Sequence, residues 1–291
     1  MLPAARSRGP APRATRLVER SRSASWYKAT VATAVDVAKT AARRLLGHTN
    51  WYLHRSIRGE GGRIPAEPPR KSWINSTLKS GGQVDEAVAE AQRCGLVPHC
   101  DRPKNWDSLS ALAFILGRKP TTARVLDVGA ADYSVMLPWL YQYGYRDLIG
   151  IDLVHTAPFR YGPIRYENGD LTRTRFERES FDVVCSMSVI EHGVPIDAYF
   201  AETRRILRPG GLLITSTDYW HEPIDTKGQQ AHGAPVRIFT AGDISKIVVT
   251  GRDHGFRMTA PALDTACSEP AVTWARHGLQ YTFICFAMER V

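Results

Sequence analysis

An open α/β sheet with helices on both faces, doubly wound, is the fold that the sequence predicts, and three observations predict it. After Pro120, short apolar runs of strand length alternate with helical segments. One run ends in an acidic residue, turns sharply through Gly129 and enters a helix (RVLDVGAADYS, Arg124 to Ser134). Another, IGIDL (Ile149 to Leu153), also ends acidic, with Asp152 standing 23 positions after Gly129.

In chain order, residues 1–24 are rich in Arg, Pro, Ala and Ser, with Glu19 the only acid. Such a stretch cannot bury enough apolar surface to offset the entropy of ordering it, so a disordered basic tail is expected. Its composition also suits an organellar transit peptide. Residues 25–71 read as a basic amphipathic helix (Ser25 to Leu46) and a Gly/Pro-rich linker (Arg58 to Lys71). The helix suits peripheral contact with an anionic membrane or docking on its own domain. Residues 72–119 read as a helical cap, with helices at Ser80 to Cys94 and Trp106 to Leu116. Residues 120–291 carry the α/β domain. Strands are expected at Arg124–Val128, Leu148–Asp152, Ile164–Tyr166, Phe181–Met187, Leu212–Thr217, Phe256–Thr259 and Tyr281–Met288. Helices are expected at Ser134–Tyr143 and Ile196–Leu207, the second ended by Pro209-Gly210-Gly211.

Composition narrows the function. The 291 residues are 43% hydrophobic and 23% charged, as in an ordinary globular protein, with a formal net charge of +9. The first 71 residues hold 15 Lys and Arg against 4 Asp and Glu, so the excess positive charge belongs to the arm. The remainder is slightly acidic, which argues against a nucleic-acid partner for the folded part. No apolar run reaches the ~18 residues of a membrane helix, which argues against an integral membrane protein. Five cysteines (Cys94, Cys100, Cys185, Cys267, Cys285), an odd number without C-x-x-C spacing, suit a reducing compartment, and a cytoplasmic location is expected. His99-Cys100-Asp101 has no second pair of ligands at zinc spacing, and no metal is expected.

Four segments carry chemistry. Gly129 lets backbone approach a ligand closely, with small Ala130 and Ala131 beside it. Asp152 is placed to accept the hydroxyls of a ribose, or alternatively to cap its turn. Asp170, in ENGDLT, can accept from the exocyclic amine of adenine. The fourth segment, SFDVVCSMSVIEHG, precedes an amphipathic helix and then RRILRPGGLLITSTDYW. In this order and spacing the set resembles the class I methyltransferase family over about Val125 to Met288.

The resemblance implies S-adenosylmethionine as cofactor and a seven-stranded, mostly parallel sheet whose last strand is antiparallel. It implies that Asp127, Gly129, Ala130, Ala131 and Asp132 lie at the methionine end, and Asp152 and Leu153 at the ribose. Asp170 and Leu171 would bracket the adenine, and Met187 and Ser188 would pass beneath the sulfonium. The family's loop usually has a second and often a third glycine, where this chain has Ala131 and Tyr133. A hydroxyl nucleophile also needs a base, and His192 and His221 follow strands that end toward the cofactor, while Asp218 would orient a base or bind substrate hydroxyls. Alternatively, Glu191 and His192 cap the next helix. The polar loop Thr217 to Pro235, with Tyr219, Trp220 and His232, reads as a substrate lid. O-methylation of a small or glycan-type acceptor follows. Two other readings are a nucleic-acid methyltransferase, although no Asn/Asp-Pro-Pro-aromatic motif follows Met187, and a non-catalytic scaffold. A nicotinamide-dependent dehydrogenase would want G-x-G-x-x-G where the chain has GAADYS.

Overall fold

The computed structural model describes residues 67–131, 133–231 and 233–291. The basic tail, the helix expected at Ser25 to Leu46, the linker as far as residue 66, Asp132 and His232 lie outside the described residues.

Two helices come first among these, α1 (Gly81–Arg93) and α2 (Lys104–Leu116), after the two-residue strand β1 (Ser76–Thr77). The α/β succession follows as β2 (Val125–Val128), α3 (Met136–Gln142), β3 (Leu148–Asp152), β4 (Phe159–Tyr161), β5 (Ile164–Asn168), β6 (Phe181–Met187) and α4 (Ile196–Ile206). Then come β7 (Leu207–Tyr219), the short β8 (Gln230–Ala231) and β9 (Ala234–Pro235), α5 (Ala241–Asp253), β10 (Phe256–Met258), β11 (Val272–Trp274) and β12 (Leu279–Arg290).

The sheet runs β5-β3-β2-β6-β7-β12-β10. Its first five strands are mutually parallel, while β12 lies antiparallel to β7 and to β10. This is the seven-stranded, mostly parallel arrangement expected from the sequence. Three short strands extend it. β4 joins the edge beside β5, and β1 and β11 pair with β12, so the sheet holds ten strands.

The central strands are apolar on both sides because helices cover both. Leu126, Val128, Val184 and Leu213 pack toward α4 and α5. Val125, Val183, Cys185 and Ile214 pack toward α1, α2 and α3. Helix α5 was not anticipated from the sequence. A reciprocal capping box starts it, with Asp243 N–H donating to Thr240 Oγ1 (3.2 Å) and Thr240 N–H to Asp243 Oδ2 (3.0 Å).

One expectation is corrected. Pro209-Gly210-Gly211 does not end a helix. Helix α4 stops at Ile206 because Leu207 is already extended, and the tripeptide is a bulge inside β7. Phe181 pairs with Leu207 but Val183 pairs with Leu212, so three extra residues are looped out of the ladder. Gly210 takes φ 73° there, and a Cβ on Gly211 would fall 2.8 Å from the Arg208 carbonyl oxygen.

Candidate active site

The carboxyl ends of β2, β3, β5, β6 and β7 share one edge of the sheet, where ligands of doubly wound folds bind. Gly129, just past β2, has φ 71°, and a Cβ there would lie 2.5 Å from Val189 Cγ2. The turn is thus pressed against the chain leaving β6. Ala130 N–H donates to the Ile151 carbonyl (3.0 Å), and the Ala130 carbonyl meets His155 Nε2 at 2.8 Å. The Ala130 methyl group is fully buried beside Gly150, so this side chain packs inward. Ala131 is buried as well. Tyr133 is 60% exposed, its ring edge-on to His99 with centroids 5.8 Å apart.

Three carboxylates line this half. Asp127 is buried and takes no hydrogen bond from any described residue. Burial pushes its carboxyl up to about 8, with the nearby charges of Asp152 and Asp107 adding to the shift. Asp152 ends β3 half-buried; its Oδ1 accepts from Val154 N–H (2.9 Å) and its Oδ2 takes no bond from a described residue. Asp170 is exposed, and its Oδ1 closes an Asx turn by accepting from the N–H (2.8 Å) and Oγ1 (2.7 Å) of Thr172. Leu153 is exposed and Leu171 buried.

The other half is built around the exit of β6. Met187 and Ser188 are half-buried, and Ser188 takes φ 53°. Its N–H donates to the carbonyl (3.0 Å) and Oγ (3.2 Å) of Ser216 on β7. Ser216 Oγ donates in turn to Asp107 Oδ2 of α2 (2.6 Å). One turn earlier on α2, the Lys104 ammonium donates to Ser188 Oγ and lies 4.2 Å over the Phe283 ring. Residues from α2, β6, β7 and β12 therefore meet here.

Asp218, near the end of β7, and Glu191, three residues past Ser188, are both buried. Burial pushes Asp218 up to about 6, while Lys104 and a hydrogen bond from the Tyr281 hydroxyl restrain the shift. Burial, and then the Asp218 charge, push Glu191 up to about 8, against the pull of Lys104 and of Thr217 Oγ1, which donates to Glu191 Oε2 (2.9 Å). Both carboxyls are thus raised by burial, which favours holding a proton between them. An ionised carboxylate beside a protonated one can accept a proton from a bound ligand.

The expected histidines are placed differently. His192 is half-buried at the β6 exit, its N–H donating to the Val189 carbonyl (3.1 Å). His221 is exposed, with its Nδ1 3.4 Å from Cys267 Sγ and its ring against Trp220, and it does not join Asp218. Sequence reading missed His155, Lys104, Asp107, Ser216 and Tyr281. Only the Lys104/Asp107 pair, three apart at a helix start, left a local signal.

The residues fit the cofactor that the motifs imply. A buried carboxylate (Asp127) and an oxygen of Asp152 that take no hydrogen bond from a described residue, with a turn that has no room for a side chain (Gly129), make a polar cradle suited to an amino-acid-and-nucleoside ligand. Sheet order and cradle together define a class I, S-adenosylmethionine-dependent methyltransferase domain. A family profile described as a methyltransferase domain matches residues 101–269, more than half of the chain, and the chain belongs to that family.

Among curated proteins, the ubiquinone biosynthesis O-methyltransferase of Cereibacter sphaeroides is 43% identical over 54 residues, covering 19% of this chain and 22% of that protein. The protein of the same name from Bradyrhizobium is 42% identical over 40 residues, covering 14% and 16%. The chain thus spans less than a quarter of the length of these relatives. Among solved structures, an S-adenosylmethionine-dependent methyltransferase from Mesorhizobium loti matches with TM-score 0.44 and 17% identity, over 64% of this chain and all of that one. The Burkholderia thailandensis 1,6-didemethyltoxoflavin-N1-methyltransferase matches with TM-score 0.46 and 19% identity, over 78% and 94%.

Proposed function

We propose that the chain methylates a hydroxyl group of a small or glycan-type acceptor. The observation that carries this reading is Asp218, a buried carboxylate at the end of β7, oriented by Tyr281 and facing Lys104 beside the chain that leaves β6. S-adenosylmethionine supplies a methyl group activated by its sulfonium charge; the protein supplies alignment and desolvation. In this reading Asp152 holds the ribose hydroxyls, and Asp170 and Leu171 bracket the adenine. Asp127, Gly129 and the main chain of 130–132 hold the methionine end, and Met187 and Ser188 flank the reacting centre. Asp218 takes the acceptor's proton. It is favoured over His221 because Asp218 is buried beside Tyr281, whereas His221 is exposed and faces Cys267. An oxygen acceptor also agrees with the O-methyltransferase names of the curated relatives across the short stretch that matches.

Calorimetry on the full-length chain tests the cofactor, with S-adenosylmethionine, S-adenosylhomocysteine and NADH as ligands. Micromolar binding of the first two is expected, weakened about 100-fold or more by Asp152→Ala, which removes charge-assisted hydrogen bonds to two hydroxyls. Binding of NADH alone would sink the reading. So would an acceptor panel in which only amines or nucleic acids become methylated.

A further inference from the structure

Helix α2 belongs to the part of the chain that precedes the first parallel strand, yet its first turn reaches the carboxyl edge of the sheet. The Lys104 ammonium is half-buried there and faces Asp107, Glu191 and Asp218, each of which is almost wholly buried. Despite that surplus of negative charge, Lys104 forms no ion pair within 4.0 Å with any described carboxylate; its partners are the neutral Ser188 hydroxyl and the face of Phe283. An ammonium has three N–H donors, and one of them is used on Ser188. The carboxylates around it are occupied elsewhere: Asp107 by Ser216 and the Ser108 N–H, Glu191 by Thr217, and Asp218 by Tyr281.

We propose that Lys104 is a catalytic residue that holds the acceptor oxygen as an oxyanion, and that the acceptor is an acidic hydroxyl, a phenol or an enol, bound between Lys104 and Asp218. This rests on the O-methylation reading and names its substrate class. Geometry places an ammonium with no carboxylate partner among the described residues beside Ser188, where the methyl group is to be delivered, with Asp218 and the rings of Phe283 and Tyr281 grouped around it. Base strength agrees. A carboxylate can take the proton of an aliphatic alcohol only as the O–CH3 bond forms, whereas a phenol ionises near ~10, and a neighbouring ammonium brings ionisation before transfer within reach.

The step balances. The acceptor O–H proton passes to Asp218, the O–CH3 bond forms as the S–CH3 bond breaks, and the electron pair stays on sulfur as a neutral thioether. The proton then leaves to solvent with the product. Asp101, His99 and Tyr281 complete the titratable groups facing this cluster.

The test reads ionisation rather than turnover. The full-length chain is saturated with S-adenosylhomocysteine, 4-nitrophenol is bound, and its visible phenolate band is followed against pH. The wild type should lower the probe's pKa by about one unit. Lys104→Met should abolish or reverse that shift, because Asp107, Glu191 and Asp218 remain, while S-adenosylhomocysteine affinity stays within about threefold. Asp218→Asn, which keeps Lys104 and removes a negative charge, should lower the probe's pKa further.

An unchanged probe pKa in Lys104→Met would overturn the proposal. So would an unchanged one in Asp218→Asn, which decides the matter if the Lys104 variant does not fold. Loss of S-adenosylhomocysteine affinity above tenfold in Lys104→Met would make Lys104 a cofactor ligand and overturn it too. A wild-type protein that binds S-adenosylhomocysteine but not the phenol rejects the substrate class. Failure to bind S-adenosylhomocysteine at all rejects the parent reading instead.

Discussion

At the ends of β2, β3 and β5 the polar groups come from short loops and stand partly open, with Asp152 half-buried and Asp170 exposed. At the ends of β6 and β7 they come from four elements and are enclosed. Ser216 bonds Asp107 across 109 positions, and Lys104 reaches Ser188 across 84. The first half consists of the strand–turn units themselves, so its polar groups are set by adjacent residues. The second depends on where α1, α2 and β12 dock, and there a chain can acquire a chemistry of its own. Cost follows the same division. Exposed acids are hydrated cheaply, whereas burying Glu191 and Asp218 together is tolerable only with Lys104, Thr217 and Tyr281 in place.

The sharpest way to break this comparison is Asp218→Asn. If the enclosed half performs proton removal, kcat should fall about 10²- to 10³-fold while S-adenosylhomocysteine affinity stays within about threefold. An equal loss in both quantities would mean that the two halves are not separable.

A smaller effect is expected in stability. Asp127 has a folded-state pKa raised by burial to about 8, so between about pH 4 and pH 8 the folded state binds more protons than the unfolded one. The sign is therefore that its contribution to stability falls as pH rises through that window. In Asp127→Asn this decline is absent, and the Tm of the variant relative to wild type should climb by several degrees between pH 5 and pH 8.5. A pH-independent difference would place Asp127 in water.

The smallest effect belongs to His221→Ala. An exposed imidazole 3.4 Å from Cys267 Sγ should leave kcat/KM within about twofold. A loss of tenfold or more would return the base to the lid and weaken the case for Asp218.

Much of the fold was legible because its parallel strands are continuous apolar runs bounded by turn residues. β3 and β6 begin and end where the hydrophobic pattern places them. Helix α5 was missed because Thr250 and Gly251 interrupt its apolar period. Gly251 is there for packing, since a Cβ would fall 2.8 Å from Met288 Cε. The bulge at Pro209-Gly210-Gly211 was misread because proline and glycines after a helix ordinarily mark its end, and only the ladder with β6 shows that the strand has already begun. The strands β1, β4, β8, β9 and β11 are two or three residues long, too short for a period to show.

The sequence by itself determined the order of the parallel strands, the glycine turn, and the acids that close β3 and follow β5, because each is encoded within a few adjacent residues. Only the tertiary structure decided that Asp218 rather than His221 sits among buried partners, that Tyr281 orients it, and that Lys104 reaches across from a helix outside the α/β succession. Local sequence sets backbone conformation and hydrophobic period. Burial, charge pairing and pKa depend on which distant surfaces meet, and that is settled when helices and β12 pack against the sheet.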